Sequence, residues 1–114
     1  MSGLLASVDQ RTNLVGENRL ELLMFKLLGR QIYAINVFKV QEVLKLPNLT
    51  EIPDRHPCIC GVTHYRGQTV PVINMSKAIG RAPIEVTKDS IIIVTEYNRS
   101  VQAFLVGGIE RIAN

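Results

Sequence analysis

Apolar positions along this chain come in short blocks broken by glycine, proline and small polar residues. Their period is more often that of strands than of helices. The exception is the start. Leu4, Leu5, Val8 and Val15 have roughly helical spacing around Asp9, Gln10 and Arg11, and Gly16 stands where a helix would stop. This predicts a short amphipathic helix within residues 1–16. Leu20 to Leu28 and Gln31 to Asn36 are apolar runs around Gly29-Arg30 and predict a hairpin. The first run is apolar on both faces, as a central strand requires.

Val37 to Leu46 mixes two periods. The spacing of Val37, Val40, Val43 and Leu44 is helical, while β-branched valine favours strands. A helical turn over 37–41 running into a strand over 42–45 is expected, ended by Pro47. Leu49 to Ile52 reads as a short strand stopped by Pro53, and Asp54 as a cap of the following turn. Gly61 to Met75 reads as two strands about a turn at Gly67. Ser76 to Ile79 is a short helix closed by Gly80, and 81–89 is a polar connection containing Pro83. Ser90 to Thr95 is a continuous apolar strand. Tyr97 to Ser100 is a turn, Val101 to Val106 the returning strand, and Gly107-Gly108 its end. Many short strands with little helix predict small barrels or sheets, not a parallel sheet covered by helices.

Composition narrows the class. A length of 114 residues fits one small domain. The 46% of apolar residues suffices for a core, and 20% charged residues is too few for a disordered chain. No apolar run approaches the about 20 residues of a membrane span. The N-terminus lacks the basic and small-residue pattern of a secretory signal, so a cytoplasmic location is expected. The net charge of +3 is spread along the chain. A nucleic-acid-binding barrel would gather that charge beside aromatic rings. This chain has 5% aromatics and no tryptophan, so that reading stands second.

Candidate chemistry is sparse. Cys58 and Cys60 lie two apart, a spacing that in an extended segment disfavours an unstrained disulfide between them. Only His56 and His64 are near them, and the spacing matches no common zinc pattern. Two free thiols are expected, with no metal and no cofactor. No nucleophile elbow or phosphate-cradling loop is present, and no catalytic residue is assigned. What stands out is one charge, Arg66, within the run Gly61 to Met75. An arginine held between strands and beside Gly67 is a fixed, always charged donor, suited to a partner surface.

Two blocks carry a resemblance. Tyr33-Ala-Ile-Asn-Val-Phe-Lys-Val-Gln-Glu-Val43 and Gly61-Val-Thr-His-Tyr-Arg-Gly-Gln-Thr-Val-Pro-Val-Ile-Asn-Met75 together resemble the CheW family of bacterial chemotaxis coupling proteins. The likeness covers roughly Leu20 to Ile112. The stretch Thr12 to Leu22 is more like the CheW module of CheV proteins. The resemblance implies a mainly β fold of two small five-stranded SH3-like barrels over residues 17–114. The first would span about 20–80. The second would begin in about 90–114 and be incomplete, leaving Val101 to Val106 with an open edge through which two copies could pair. It implies a non-enzymatic adaptor between the cytoplasmic tip of methyl-accepting chemoreceptors and the regulatory domain of a chemotaxis histidine kinase. The receptor-facing positions would be Val40, Glu42, Gly61 and Arg66, and the kinase-facing ones Gly67, Thr69 and Val70. His64 and Asn74 depart from the family pattern, which more often has Asn and Asp there.

Overall fold

A computed structural model describes residues 21–53 and 56–113. The helix expected within residues 1–16 and the Asp54 cap lie outside them. The described chain is mainly β. Its strands are β1 (Leu22–Lys26), β2 (Ile32–Asn36), β3 (Val40–Lys45), β4 (Ile59–Tyr65), β5 (Gln68–Asn74), β6 (Ile91–Tyr97), β7 (Ser100–Val106) and β8 (Gly108–Ala113). A 3-10 turn over Val37–Lys39 precedes β3, and a one-turn helix, α1 (Met75–Ala78), follows β5. None of the helices among the described residues is long and apolar enough to cross a membrane.

The strands form a three-stranded sheet, in the order β2-β1-β8, and a five-stranded sheet, in the order β3-β6-β7-β5-β4. Neither is closed by a ladder. The nearest approach to closure is at the outer edge of β4, where Thr50 and Val62 exchange both backbone hydrogen bonds at 2.8 Å. The strand expected over 49–52 is therefore a single bridge.

Two expectations are corrected here. The sheets do not divide before and after residues 81–89, because β6 and β7 join β3, β4 and β5 in one sheet. The cause is a parallel pairing, Val72 to Ala103 through Asn74 to Leu105, made after the chain crosses over. Such long-range pairings leave no local trace in sequence. The same pairing removes the open edge expected at Val101 to Val106, since β7 has β6 on one side and β5 on the other. The edge argument for pairing between copies thus fails at β7. Beyond Gly107 the chain does not end its β structure. Strand β8 pairs with β1, with Leu23 opposite Ile112.

The apolar run of β6 explains how the sheets pack. Ile92 and Val94 face a core on one side of the five-stranded sheet, with Tyr65, Val70, Val72, Ala103 and Leu105. Ile93 faces the other way, into a core shared with Leu23, Phe25, Leu27 and Ile35 of the first hairpin and with Val106. Alternate residues of one strand thus feed two cores, so Ile91 to Val94 are apolar without a break instead of alternating.

Two details pin the layers together. The Gly107 N–H donates to the Lys26 carbonyl at 2.7 Å, and a Cβ at Gly107 would collide with the Leu27 carbonyl oxygen. Asn74 is buried at the head of α1. Its Oδ1 accepts from the N–H groups of Lys77 and Ile84, and its Nδ2 donates to the Ile84 carbonyl at 2.8 Å. The polar 81–89 connection is thereby tied to the core.

Gly107→Ala is expected to destabilise the domain by about 1–3 kcal/mol, because backbone must move to admit the methyl group, as read by urea unfolding. Asn74→Ala is expected to cost about 1–3 kcal/mol, since it strands part-buried backbone groups of Ile84. Asn74→Asp keeps the oxygen that accepts both bonds and loses the donor to the Ile84 carbonyl, and its unfolding midpoint should fall below that of the wild type.

Candidate functional site: a strained arginine turn held over β3

The hairpin of β4 and β5 turns in two residues, with Tyr65 opposite Gln68. One of the two favoured two-residue hairpin loops has positive φ at both positions and favours Asn-Gly there. Here they are Arg66, at φ 50°, and Gly67, at φ 78°. Glycine adopts this without penalty. Arginine carries a Cβ into the left-handed region at a cost of about 1–2 kcal/mol. The turn is thus set by Gly67, and Arg66 sits where stability alone would select another residue.

The Arg66 side chain folds back over the sheet. Its guanidinium carbon lies 5.1 Å from the centroid of the Tyr65 ring, within cation–π range. Its Nη2 lies 3.4 Å from Oε1 of Glu42. Glu42 comes from β3, across the sheet, through a register shift between Val40 and Glu42 in the pairing with β6. The Tyr65 hydroxyl donates to the same Oε1 at 2.9 Å. Burial first, and then this hydrogen bond, push the Tyr65 phenol above its ordinary value, against the opposing pull of Arg66. The hydroxyl therefore stays a protonated donor throughout the neutral range.

The sequence-derived positions divide by location. Glu42 and Arg66 meet on the surface, with side chains 42% and 66% exposed. Val40 is half-buried and packs on the core between the sheets. Gly61 is buried, and a Cβ there would collide with the Thr50 carbonyl oxygen. It admits the chain after β3 against β4. Gly67 and Thr69 are exposed, and Thr69 stands opposite the exposed His64. Val70 is 1% exposed and belongs to the core, so it is not on the surface that Gly67 and Thr69 share.

Sequence reasoning passed over Tyr65, although its place at a strand end beside Arg-Gly was a signal. It also passed over the surface at the C-terminal end of β6. There Lys39 Nζ stands 4.8 Å from the Tyr97 ring centroid, and Gln41 Nε2 donates to Glu96 Oε1 at 2.6 Å. Phe38, on the 3-10 turn, is 74% exposed. No disulfide joins Cys58 and Cys60, and the Cys58 N–H donates to His56 Nδ1 at 3.1 Å. Among the described residues no three His, Cys, Asp or Glu side chains gather where they could hold a metal.

Comparison with known proteins gives one consistent answer. The CheW-like domain model matches residues 21–114. Chemotaxis protein CheV3 of Helicobacter pylori is 37% identical over 103 residues, which is 83% of this chain and 33% of that protein. CheV1 of the same organism is 41% identical over 80 residues, 68% of this chain and 25% of that one. Chemotaxis protein CheW of Bacillus subtilis is 34% identical over 77 residues, 68% of this chain and 49% of that protein. The chain thus spans between a quarter and a half of the length of these curated relatives. The crystal structure of the scaffolding protein TtCheW from Thermoanaerobacter tengcongensis superposes with a TM-score of 0.75 at 29% identity, covering 82% of this chain and 64% of that one. The two CheV relatives agree with the likeness to a CheW module of CheV proteins. The chain belongs to the CheW-like domain family.

Proposed function

We propose that the domain is a non-enzymatic chemotaxis adaptor that couples chemoreceptors to a histidine kinase in the cytoplasm. The observation that carries the reading is Arg66. Arg99 takes the same left-handed conformation in the β6–β7 turn, at φ 66°, so what singles out Arg66 is its side chain, held beside Glu42 and over the Tyr65 ring at an exposed turn. The matches to proteins named as chemotaxis proteins supply the partner class. In this reading Arg66 and Glu42 face the tip of a methyl-accepting chemoreceptor, with the exposed part of Val40 adding apolar area. Gly61 acts from behind, by letting residues 49–50 lie against β4. Gly67 and Thr69 belong to the face that meets the kinase regulatory domain, and Val70 supports that face from the core.

The same reading takes the two sheets as parts of two five-stranded SH3-like barrels. The five-stranded sheet is one of them, with the Thr50–Val62 bridge at its seam. The three-stranded sheet belongs to the other. The rival reading, a nucleic-acid-binding barrel, gains no support from the fold. The basic groups at the site, Arg66 and Lys39, are engaged by Glu42 and Tyr97.

Two variants separate binding from folding. Arg66→Asn places the favoured residue in the turn and is expected to raise stability by up to about 1 kcal/mol, while retention on an immobilised receptor tip fragment drops. Arg66→Glu sets a second carboxylate against Glu42 and should abolish retention. Equal retention of wild type and both variants, or no retention of the wild type, would overturn the reading.

A further inference from the structure

We propose that Tyr65 is a positioning residue of the receptor-facing site, its hydroxyl and ring holding Glu42 and Arg66 as one preset pair of charges. The inference rests on the adaptor reading and deepens it.

The argument begins with what an exposed ion pair can do unaided. Glu42 and Arg66 are long side chains, 42% and 66% exposed. Pairs of this kind are screened by solvent and give up rotamer freedom to stay together. A partner would then have to order both side chains on binding, which weakens association. The contact between them, at 3.4 Å, is also long for a charge-assisted hydrogen bond.

Tyr65 changes this. Its ring is 6% exposed and packs with Val70, Val72, Ile92, Val94 and Leu105, so it cannot swing. From that anchor the hydroxyl reaches Glu42 Oε1 at 2.9 Å, the shortest bond the carboxylate makes. The ring face lies under the guanidinium at 5.1 Å. One buried residue therefore fixes the acid by its edge and the base by its face. Freedom that binding would otherwise have to remove has already been removed by folding. A phenylalanine would fill nearly the same core volume without holding Glu42, so packing alone does not explain the hydroxyl. Arg66 meets the same Oε1 from the outer side, leaving its remaining guanidinium donors for a polar partner group.

The test measures affinity for an immobilised chemoreceptor tip fragment in wild type, Tyr65→Phe, Glu42→Ala and the double variant, beside thermal unfolding of each. Tyr65→Phe keeps the ring and its packing. It is expected to weaken binding about 3- to 10-fold, the scale of ordering one long side chain, mostly through faster dissociation. In the Glu42→Ala background it should have no further effect on affinity. Equal affinity of Tyr65→Phe and wild type would overturn the inference, as would an undiminished loss in the Glu42→Ala background.

If the wild type does not bind the fragment, the adaptor reading fails, and the positioning claim is decided on the free domain. One tyrosine should then ionise above its ordinary range by phenolate absorbance. Glu42→Ala should move that ionisation down, because the raised value includes the hydrogen bond to Glu42. No movement would overturn the claim. Should Tyr65→Phe fail to fold, the same Glu42→Ala titration decides it.

Discussion

The burial of β6 on both faces is the constraint on which the rest of the domain depends. Ile92 and Val94 enter one core and Ile93 the other, so the strand can be satisfied only when the hairpin of β1 and β2 covers the outer face of the five-stranded sheet. Each of these side chains contributes about 1.5–3 kcal/mol by leaving water. Exposing either face of β6 would therefore forfeit a large part of a small domain's net stability. The consequence for function is positional. Strand β3 lies beside β6, and its register is fixed from Val40 opposite Thr95 to Lys45 opposite Ile91. The shift between Val40 and Glu42 lets Val40 pack on the core between the sheets while Glu42 reaches the Tyr65 hydroxyl. The acid of the site is thus placed by the same strand pairing that holds the two cores.

Much of the element order was legible because it is local. Gly29, Gly67 and Gly80 mark turns or ends through their positive φ. The mixed period over 37–46 correctly signalled a helical turn passing into a strand. What the sequence withheld was long-range. Nothing in Val101 to Val106 announces a parallel partner in β5, and the apolar character of that strand suits an edge or an interior place equally. Strand β8 was missed because Gly107-Gly108 reads as an end. Gly107 in fact permits a tight pass under the Leu27 carbonyl and Gly108 starts a new strand.

The candidate site was legible in part for the same reason. Arg66 announced itself as one charge in an apolar run, and its neighbour Gly67 is what a two-residue turn needs. Glu42 came from resemblance, and its geometry could not have been read locally, since 24 positions separate it from Arg66. Gly61 and Val70 show the opposite error. Gly61 leaves room for the Thr50 carbonyl and Val70 fills the core below the hairpin, so both are constrained by packing. Sequence patterns mark that such positions are constrained without saying on which side of the surface the constraint acts.

Local preference and observed structure disagree at two arginines in hairpin turns, Arg66 and Arg99, and at Arg66 the side chain is also held by Glu42 and the Tyr65 ring. Here the disagreement is local and its support is global. The cost at Arg66 falls on two backbone dihedrals, whereas the groups that receive its side chain come from β3 and from the core-facing ring of Tyr65. A charge presented on a flexible loop would be cheaper for stability and poorer for recognition, because its partner would have to order it. Holding the charge between a buried ring and a carboxylate set by strand pairing moves that ordering into the folding step. A small domain can carry the expense because the doubly buried β6 supplies a rigid base for it.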